Sequence, residues 1–104
     1  MIDSATIRQA VNALVTAAPN AEQIVLFGSY AKGLANEASD LDFLVIESEV
    51  VNRAQEMVRL RRALRKLRIP VDILVYSRAE VNQWRNQTGS ALYWAMKEGQ
   101  VVHG

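Results

Sequence analysis

Three short apolar runs alternate with amphipathic helical stretches along this chain, and this alternation constrains the fold more than any other feature of the sequence. The apolar runs cover residues 23–27, 40–47 and 71–76, and each is typical of a buried strand. Hydrophobic residues recur at helical spacing in residues 4–17 and 52–68. We therefore predict an α/β fold with a small mixed sheet of about three strands flanked by helices.

Shorter elements fill the remainder of the pattern. Ser4 and Ser77 are both suitable N-cap residues, so we expect each to begin a helix. A short helix is predicted over residues 29–33, directly after the first strand, and a last helix over residues 91–97. Residues 101–102 are expected to be extended. The length of 104 residues fits a single domain.

The composition restricts the kind of metal site that the chain can build. It has no cysteine and one histidine, His103, which we expect to be an ordinary tail residue. Thiolate and histidine cages are thereby excluded, and any metal must be bound by oxygen ligands, which favours a hard cation such as Mg²⁺ or Mn²⁺. The formal net charge of +1 indicates no general affinity for nucleic acid, so direct nucleic-acid binding is not expected.

The sequence contains no apparent targeting or membrane signal. Residues 1–4 do not have the basic region followed by an apolar core that a signal peptide requires. No apolar run is long enough to span a bilayer. We therefore expect a cytoplasmic location and no membrane partner.

A phosphate-binding turn is predicted where the first strand meets the short helix. Gly28 ends the strand and permits close approach of a ligand to the backbone. Ser29 follows at the helix N-terminus, where free N–H groups attract phosphate, although it is also compatible with a simple helix cap. Lys32 lies one turn further and is equally compatible with a phosphate contact and with solvated surface.

Three aspartates form the candidate metal site. Asp40 and Asp42 are two residues apart on a predicted strand, so both carboxylates should leave the same face. Asp72 lies in the next apolar run, where a buried carboxylate would need a cation or an ion pair. Together they would suit a Mg²⁺ site for phosphoryl chemistry. The alternatives are a solvated acidic strand edge for the first two and an ion pair with Arg or Lys for Asp72.

These residues resemble the pattern of the nucleotidyltransferase superfamily: Gly28-Ser29, a gap of ten residues, Asp40-x-Asp42, and a third carboxylate on a later strand. Within it, residues 20–104 are similar to the minimal nucleotidyltransferases (MNT proteins), which are single small domains, so residues 1–104 are expected to form one nucleotidyltransferase domain. By this resemblance Gly28, Ser29 and Lys32 bind the nucleotide. Asp40, Asp42 and Asp72 are the metal-binding and catalytic residues. Lys32 stands where the family often has Arg.

The resemblance also implies a biological role. MNT proteins are often antitoxins of HEPN/MNT toxin–antitoxin modules. They neutralise a HEPN toxin by transferring AMP from ATP to one of its tyrosines, or by tight binding. The implied partners are therefore ATP and a HEPN-type toxin, with which a hetero-oligomer can form. Two alternatives stay open: a non-catalytic antitoxin that acts by complex formation, and a small-molecule nucleotidyltransferase.

Two further groups of residues are each compatible with two interpretations. The predicted helix 52–68 carries seven basic residues, which form either a partner surface or, as we favour, a solvated face. Trp84, Tyr93 and Trp94 occur at helical spacing and are expected to pack in the core or to anchor an interface.

Overall fold

A four-stranded mixed sheet organises the chain in the computed structural model, which describes all of residues 1–104. The apolar runs form the central strands and the amphipathic stretches form the helices that flank them. The α/β prediction is therefore confirmed. The strands are β1 (Ala21–Phe27), β2 (Leu41–Glu47), β3 (Val71–Ser77) and β4 (Gln100–His103). The α-helices are α1 (Ser4–Ala17), α2 (Ser29–Lys32), α3 (Arg53–Ala63), α4 (Arg78–Trp84) and α5 (Ala91–Glu98).

The strand order is β3-β2-β1-β4. Strand β1 is antiparallel to both of its neighbours, β2 and β4. Strands β2 and β3 are parallel, and α3 lies in the crossover between them, as a parallel pair requires. The sheet has four strands and not about three, because the extended residues near 101–102 pair with β1.

Strand β2 is buried on both faces, which explains its continuous apolar run. On one face Phe43 and Val45 belong to a core that α1 and α3 complete. On the other face Leu44 and Ile46 pack in a second core with α4 and α5. Because the middle of the strand is wholly apolar, its acidic residues lie at its two ends.

The N-cap residue of α4 agrees with the prediction, whereas that of α1 lies one residue earlier than predicted. Asp3, and not Ser4, caps α1: its Oδ1 accepts a hydrogen bond from the Thr6 N–H at 2.8 Å. The prediction for Ser4 is wrong because that residue already has helical geometry and the cap is the residue before it. Ser77 caps α4 as predicted, in a capping box with Glu80.

The predicted long helix 52–68 is interrupted. Helix α3 ends at Ala63, and a short 3-10 helix over Arg65–Leu67 follows. The Leu64 N–H bonds to the carbonyl oxygen of Arg61, three residues back, so the turn tightens. Arg68 then adopts a left-handed conformation with φ +52°, which reverses the chain toward β3.

The predictions for the three aromatic residues Trp84, Tyr93 and Trp94, and for His103, are partly wrong. Trp84 and Trp94 are 45% and 50% exposed, so they are surface residues and not core residues. Tyr93 is half-buried and packs edge-on against Trp94, with ring centroids 5.1 Å apart. His103 is half-buried in β4 opposite Ile24 and is therefore not a free tail residue.

None of the helices has the length and apolar character that crossing a bilayer requires.

Candidate active site

The parallel register of β2 and β3 places Asp42 directly opposite Asp72. Adjacent strands are about 4.8 Å apart, and paired residues in register project to the same side of the sheet. The two carboxylates, thirty residues apart in sequence, are thereby neighbours at the start of both strands. The arrangement concentrates negative charge at this edge of the sheet.

Asp42 is under electrostatic strain. Partial burial raises the pKa of its carboxyl above the ordinary value, and the nearby carboxylates of Asp72 and Asp40 raise the pKa further. A group in this position is stabilised by protonation or by a cation. Asp42 is therefore the centre of the acidic cluster.

Asp72 lies in a different environment from the one predicted. Its side chain is 54% exposed, so the expectation of a buried carboxylate is wrong. The physical reason is that β3 is an edge strand, which the apolar run alone did not reveal. Arg61 approaches it, with Nη2 3.5 Å from Oδ1, so the alternative of an ion pair is present in a long, weak form.

Asp40 precedes β2, which begins at Leu41 and not at Asp40. Strand alternation therefore does not set the direction of its side chain, and the side chain is exposed. Its charge nevertheless acts on Asp42. The three aspartates do not converge into a compact cluster that could by itself hold a metal ion.

The donor set still fits a magnesium ion. All the available groups are carboxylate oxygens, which are hard ligands. Magnesium in nucleotide sites is typically held by one or two carboxylates, with phosphate oxygens and waters completing the octahedron. The facing pair Asp42 and Asp72 meets that requirement, and the raised pKa of Asp42 reports the uncompensated charge that a cation would neutralise.

Gly28 lies against the Asp42 carboxylate. Its backbone has φ +74°, a conformation that favours glycine. A Cβ atom at this position would overlap Oδ2 of Asp42 and lie 3.1 Å from its Cγ. The turn that begins α2 is thereby held directly beside the acidic cluster, so a phosphate on the turn would lie close to the carboxylates.

Ser29 is the first residue of α2 and is half-buried. Gly28 is the N-cap of this helix and no side chain caps it, so the alternative of a simple capping role for Ser29 is wrong. The first N–H groups of a helix have no partner inside the helix and can serve a ligand. Helix α2 has only four residues, so its dipole adds little.

Contacts from distant parts of the chain hold α2 in place. Lys32 forms an ion pair with Glu98 of α5 at 3.4 Å, so it is engaged with protein and is not simply solvated. Gln100 Nε2 donates to the Ala31 carbonyl oxygen at 2.9 Å, and the Tyr30 hydroxyl accepts from the N–H of Ile2 at 2.9 Å. Sequence reasoning missed these positioning residues because no local pattern signals such long-range contacts.

A glycine–serine turn beside two facing aspartates is an arrangement that suits phosphoryl transfer. The nucleotidyltransferase domain model matches residues 6–87, most of the chain, and the chain belongs to this family. No protein with curated function matches the sequence.

Solved structures share the fold at low sequence identity. A protein from Sulfolobus solfataricus assigned as a nucleotidyltransferase is 22% identical, with a TM-score of 0.64 over 93% of this chain and 76% of that one. A toxin–antitoxin structure with AMP-PNP is 22% identical, with a TM-score of 0.60 over 99% and 74%. The complex of tri-AMPylated Shewanella oneidensis HEPN toxin with MNT antitoxin is 17% identical, with a TM-score of 0.56 over 99% and 73%. At these identities the similarity establishes the common fold.

Proposed function

We propose that this protein is a Mg²⁺-dependent nucleotidyltransferase that transfers AMP from ATP to a tyrosine of a HEPN toxin partner, and so acts as an antitoxin. The observation that carries the proposal is the in-register pair of Asp42 and Asp72 beside the Gly28 turn. Membership of the nucleotidyltransferase family supports the transfer chemistry. The fold shared with the AMP-PNP complex and with the HEPN–MNT complex supports the donor and the acceptor. In this proposal residues 1–104 act as one domain in the cytoplasm.

The turn at Gly28 and Ser29 would hold the triphosphate. The absence of a side chain at Gly28 lets phosphate oxygens approach the backbone. The N–H groups at the start of α2 and the Ser29 hydroxyl would donate to those oxygens. Lys32 would add a positive charge if its exposed ion pair with Glu98 opens.

The aspartates would hold the metal and receive the proton. Asp42 and Asp72 would bind Mg²⁺, with Asp40 contributing from the loop before β2. When bound, the ion would neutralise charge on the triphosphate and lower the pKa of the acceptor hydroxyl. Because Asp72 is the more exposed carboxylate, it is placed to meet an incoming acceptor and to accept its proton.

The transfer needs no reactant other than ATP and the tyrosine, because each bond that forms is matched by one that breaks. The tyrosine oxygen forms a bond to the α-phosphorus of ATP while the bond from that phosphorus to the bridging oxygen breaks. Pyrophosphate leaves, and the phenolic proton moves to Asp72. The protein contributes mainly position and charge neutralisation, as in other transfers to phosphorus.

A second candidate function is neutralisation by binding alone. The exposed Trp84 and Trp94 favour it, since large aromatic side chains at a surface commonly anchor protein interfaces. In that case the acidic cluster would not be needed for protection. The two candidates make different predictions for a variant without the Asp42 charge.

Intact mass spectrometry of a HEPN toxin partner tests the proposal, and the product of the neighbouring gene is the first candidate to try. After incubation with ATP and Mg²⁺, the toxin should gain the mass of one or more AMP groups, and Asp42→Asn should abolish the gain. Asp3→Asn is the matched control, because it removes the same charge and asparagine still caps α1. A stable complex with no added mass, and full protection by Asp42→Asn in cells, would favour the binding antitoxin.

A further inference from the structure

A groove of about 550 Å³ opens between the C-terminal end of α3 and the start of β3. Its floor is apolar and includes Leu64, Ile69 and Val71. Its rim carries the guanidinium groups of Arg61, Arg62 and Arg65. The interruption of the predicted long helix creates this shape, because the chain turns back toward β3 at that point.

One residue of the rim joins the groove to the candidate active site: Arg61 lines the groove and also approaches Asp72, at 3.5 Å. Val71 belongs to the floor and directly precedes Asp72, so the two side chains leave opposite faces of β3. Because β3 is an edge strand, a chain that leaves the groove past Arg61 would cross the edge of the sheet and reach the exposed Asp72 carboxylate.

Two of the three arginines at this groove have no acidic partner. Elsewhere on α3 the arginines are paired, Arg53 with Glu80 and Arg59 with Glu56. Arg62 and Arg65 take part in no ion pair of the protein, and the same holds for Lys66 and Arg68 in the adjoining turn. With a formal net charge of only +1, this is a local excess that calls for an acidic ligand.

We infer that the groove binds an acidic, partly apolar peptide segment of the acceptor protein and directs the acceptor hydroxyl to Asp72. Carboxylates of the segment pair with the rim arginines, whose planar groups suit bidentate contacts. Apolar side chains of the segment cover Leu64, Ile69 and Val71. The delivery of the hydroxyl rests on the proposed function, whereas the binding of the segment does not.

The lining favours a peptide over a nucleic acid. No aromatic side chain lines the groove, so it lacks the platform on which unpaired bases stack. The exposed Trp84 and Trp94 belong to α4 and α5, which pack on the second core and away from this groove. The apolar floor would also bind a sugar–phosphate backbone poorly.

Fluorescence anisotropy with short labelled probes tests the inference. The probes are a tyrosine peptide flanked by Glu, Asp and Leu, the same peptide with Lys in place of the acids, and a single-stranded RNA of equal length. We expect the acidic peptide to bind in a salt-dependent manner. The double variant Arg62→Glu/Arg65→Glu should weaken its binding by about tenfold or more.

The control is Arg8→Glu/Arg85→Glu, which makes the same charge change at two exposed arginines outside the groove that form no ion pair. It should change the affinity by less than about twofold. Three results would overturn the inference: no binding of the acidic peptide, an equal loss in the control variant, or RNA binding that is tighter and depends on Arg62 and Arg65.

Asp42→Asn separates this inference from the proposed function. The variant should bind the acidic peptide like the unmodified protein while losing nucleotide transfer. If neither protein transfers a nucleotide but the arginine-dependent binding persists, the transfer proposal fails and the groove stands. If transfer to a tyrosine amide proceeds without any arginine-dependent peptide binding, the groove inference alone is overturned.

Discussion

Strand β2 carries an acidic residue near each end, and the two are stabilised in opposite ways. Burial is the largest cause of a raised pKa at both Asp42 and Glu47, and neighbouring carboxylates add to the effect at both. At the Glu47 end the protein itself compensates the charge. At the Asp42 end it does not.

The Glu47 end of β2 is closed, in the sense that groups of the protein neutralise its carboxyl charge. Glu47 is 1% exposed, and its burial together with the nearby Glu56 carboxyl raises the pKa of Glu47 to about 8, which favours the protonated form at neutral pH. Arg59 donates two hydrogen bonds to Glu56, at 2.7 and 2.8 Å, which holds the pKa of Glu56 well below its usual range. Oε2 of Glu47 is buried and has no hydrogen-bond partner.

The Asp42 end of β2 is open, in the sense that no positive group of the protein pairs with Asp42. The only arginine in reach is Arg61, which contacts Asp72 at 3.5 Å and leaves Asp42 without a positive partner. At neutral pH a proton and an arginine neutralise the acid pair at the Glu47 end, whereas an acid pair without them can accept a cation from outside. The acid pairs at the two ends of β2 are thus distinguished by what the protein supplies to offset their charge.

The largest expected difference between the two ends is catalytic. Asp42→Asn should lower the rate of nucleotide transfer by a factor on the order of 10²–10³ or more, because it removes charge at the reacting phosphates. Glu47→Gln should leave the rate within about twofold, since it lies at the other end of the strand. Steady-state transfer assays check both, and equal losses would show that the two ends are not functionally distinct.

A substitution at Gly28 should damage both stability and activity. Gly28→Ala adds a Cβ that overlaps the Asp42 carboxylate in a backbone conformation unfavourable to alanine. The free energy of unfolding should fall by about 1–3 kcal/mol. Gly33→Ala is the matched control: its φ is +72°, but nothing lies within 4 Å of the added atom. Urea denaturation that gave equal losses for both variants would remove the argument for a close contact at Gly28.

Glu47, at the closed end of β2, should make the free energy of unfolding depend on pH. The pKa of Glu47 is raised from 4.5 to about 8 in the folded protein. The folded state therefore holds an extra proton between those values, and the free energy of unfolding should decrease as pH rises through that window. Glu47→Gln mimics the protonated form and should flatten the decrease, with a gain on the order of 1–3 kcal/mol above pH 8. Denaturation at several pH values, with Glu49→Gln as a surface control, measures this.

The smallest effect is expected at Arg61. Its ion pair with Asp72 is long and both side chains are about half exposed, so Arg61→Gln should change the free energy of unfolding by less than about 0.5 kcal/mol. Arg59→Gln, which leaves the Glu47 and Glu56 carboxyls without their arginine, should cost more. Thermal and urea unfolding of the two variants would contradict this if Arg61 proved the more costly.

Local patterns in the sequence predict much of this molecule. Apolar runs placed β1, β2 and β3 within a few residues, and Ser77 signalled the start of α4. The pairing of Asp42 with Asp72 required β3 to lie beside β2, a relation that alternating elements favour.

What escaped prediction depends on tertiary position. The exposure of Asp72 follows from the edge position of β3, and the break at Leu64 follows from the turn that the crossover must make. Glu47 was predicted only as the last residue of the second strand, and the contact with Glu56 and Arg59 of α3 accompanies its burial. An acid that ends a continuous apolar run, with a Glu–Arg pair on the next helix, is the signal that could have revealed it.

The crossover topology divides the candidate site between two separate stretches of sequence. The stretch from β1 through α2 to β2 contains Gly28, Ser29 and Asp42, which face the nucleotide in our proposal. The stretch from α3 to β3 contains Asp72 and the arginine groove, which face the acceptor. The two stretches can therefore vary independently in evolution. Exchange of residues 53–77 between related proteins should redirect the choice of acceptor while the donor stays the same.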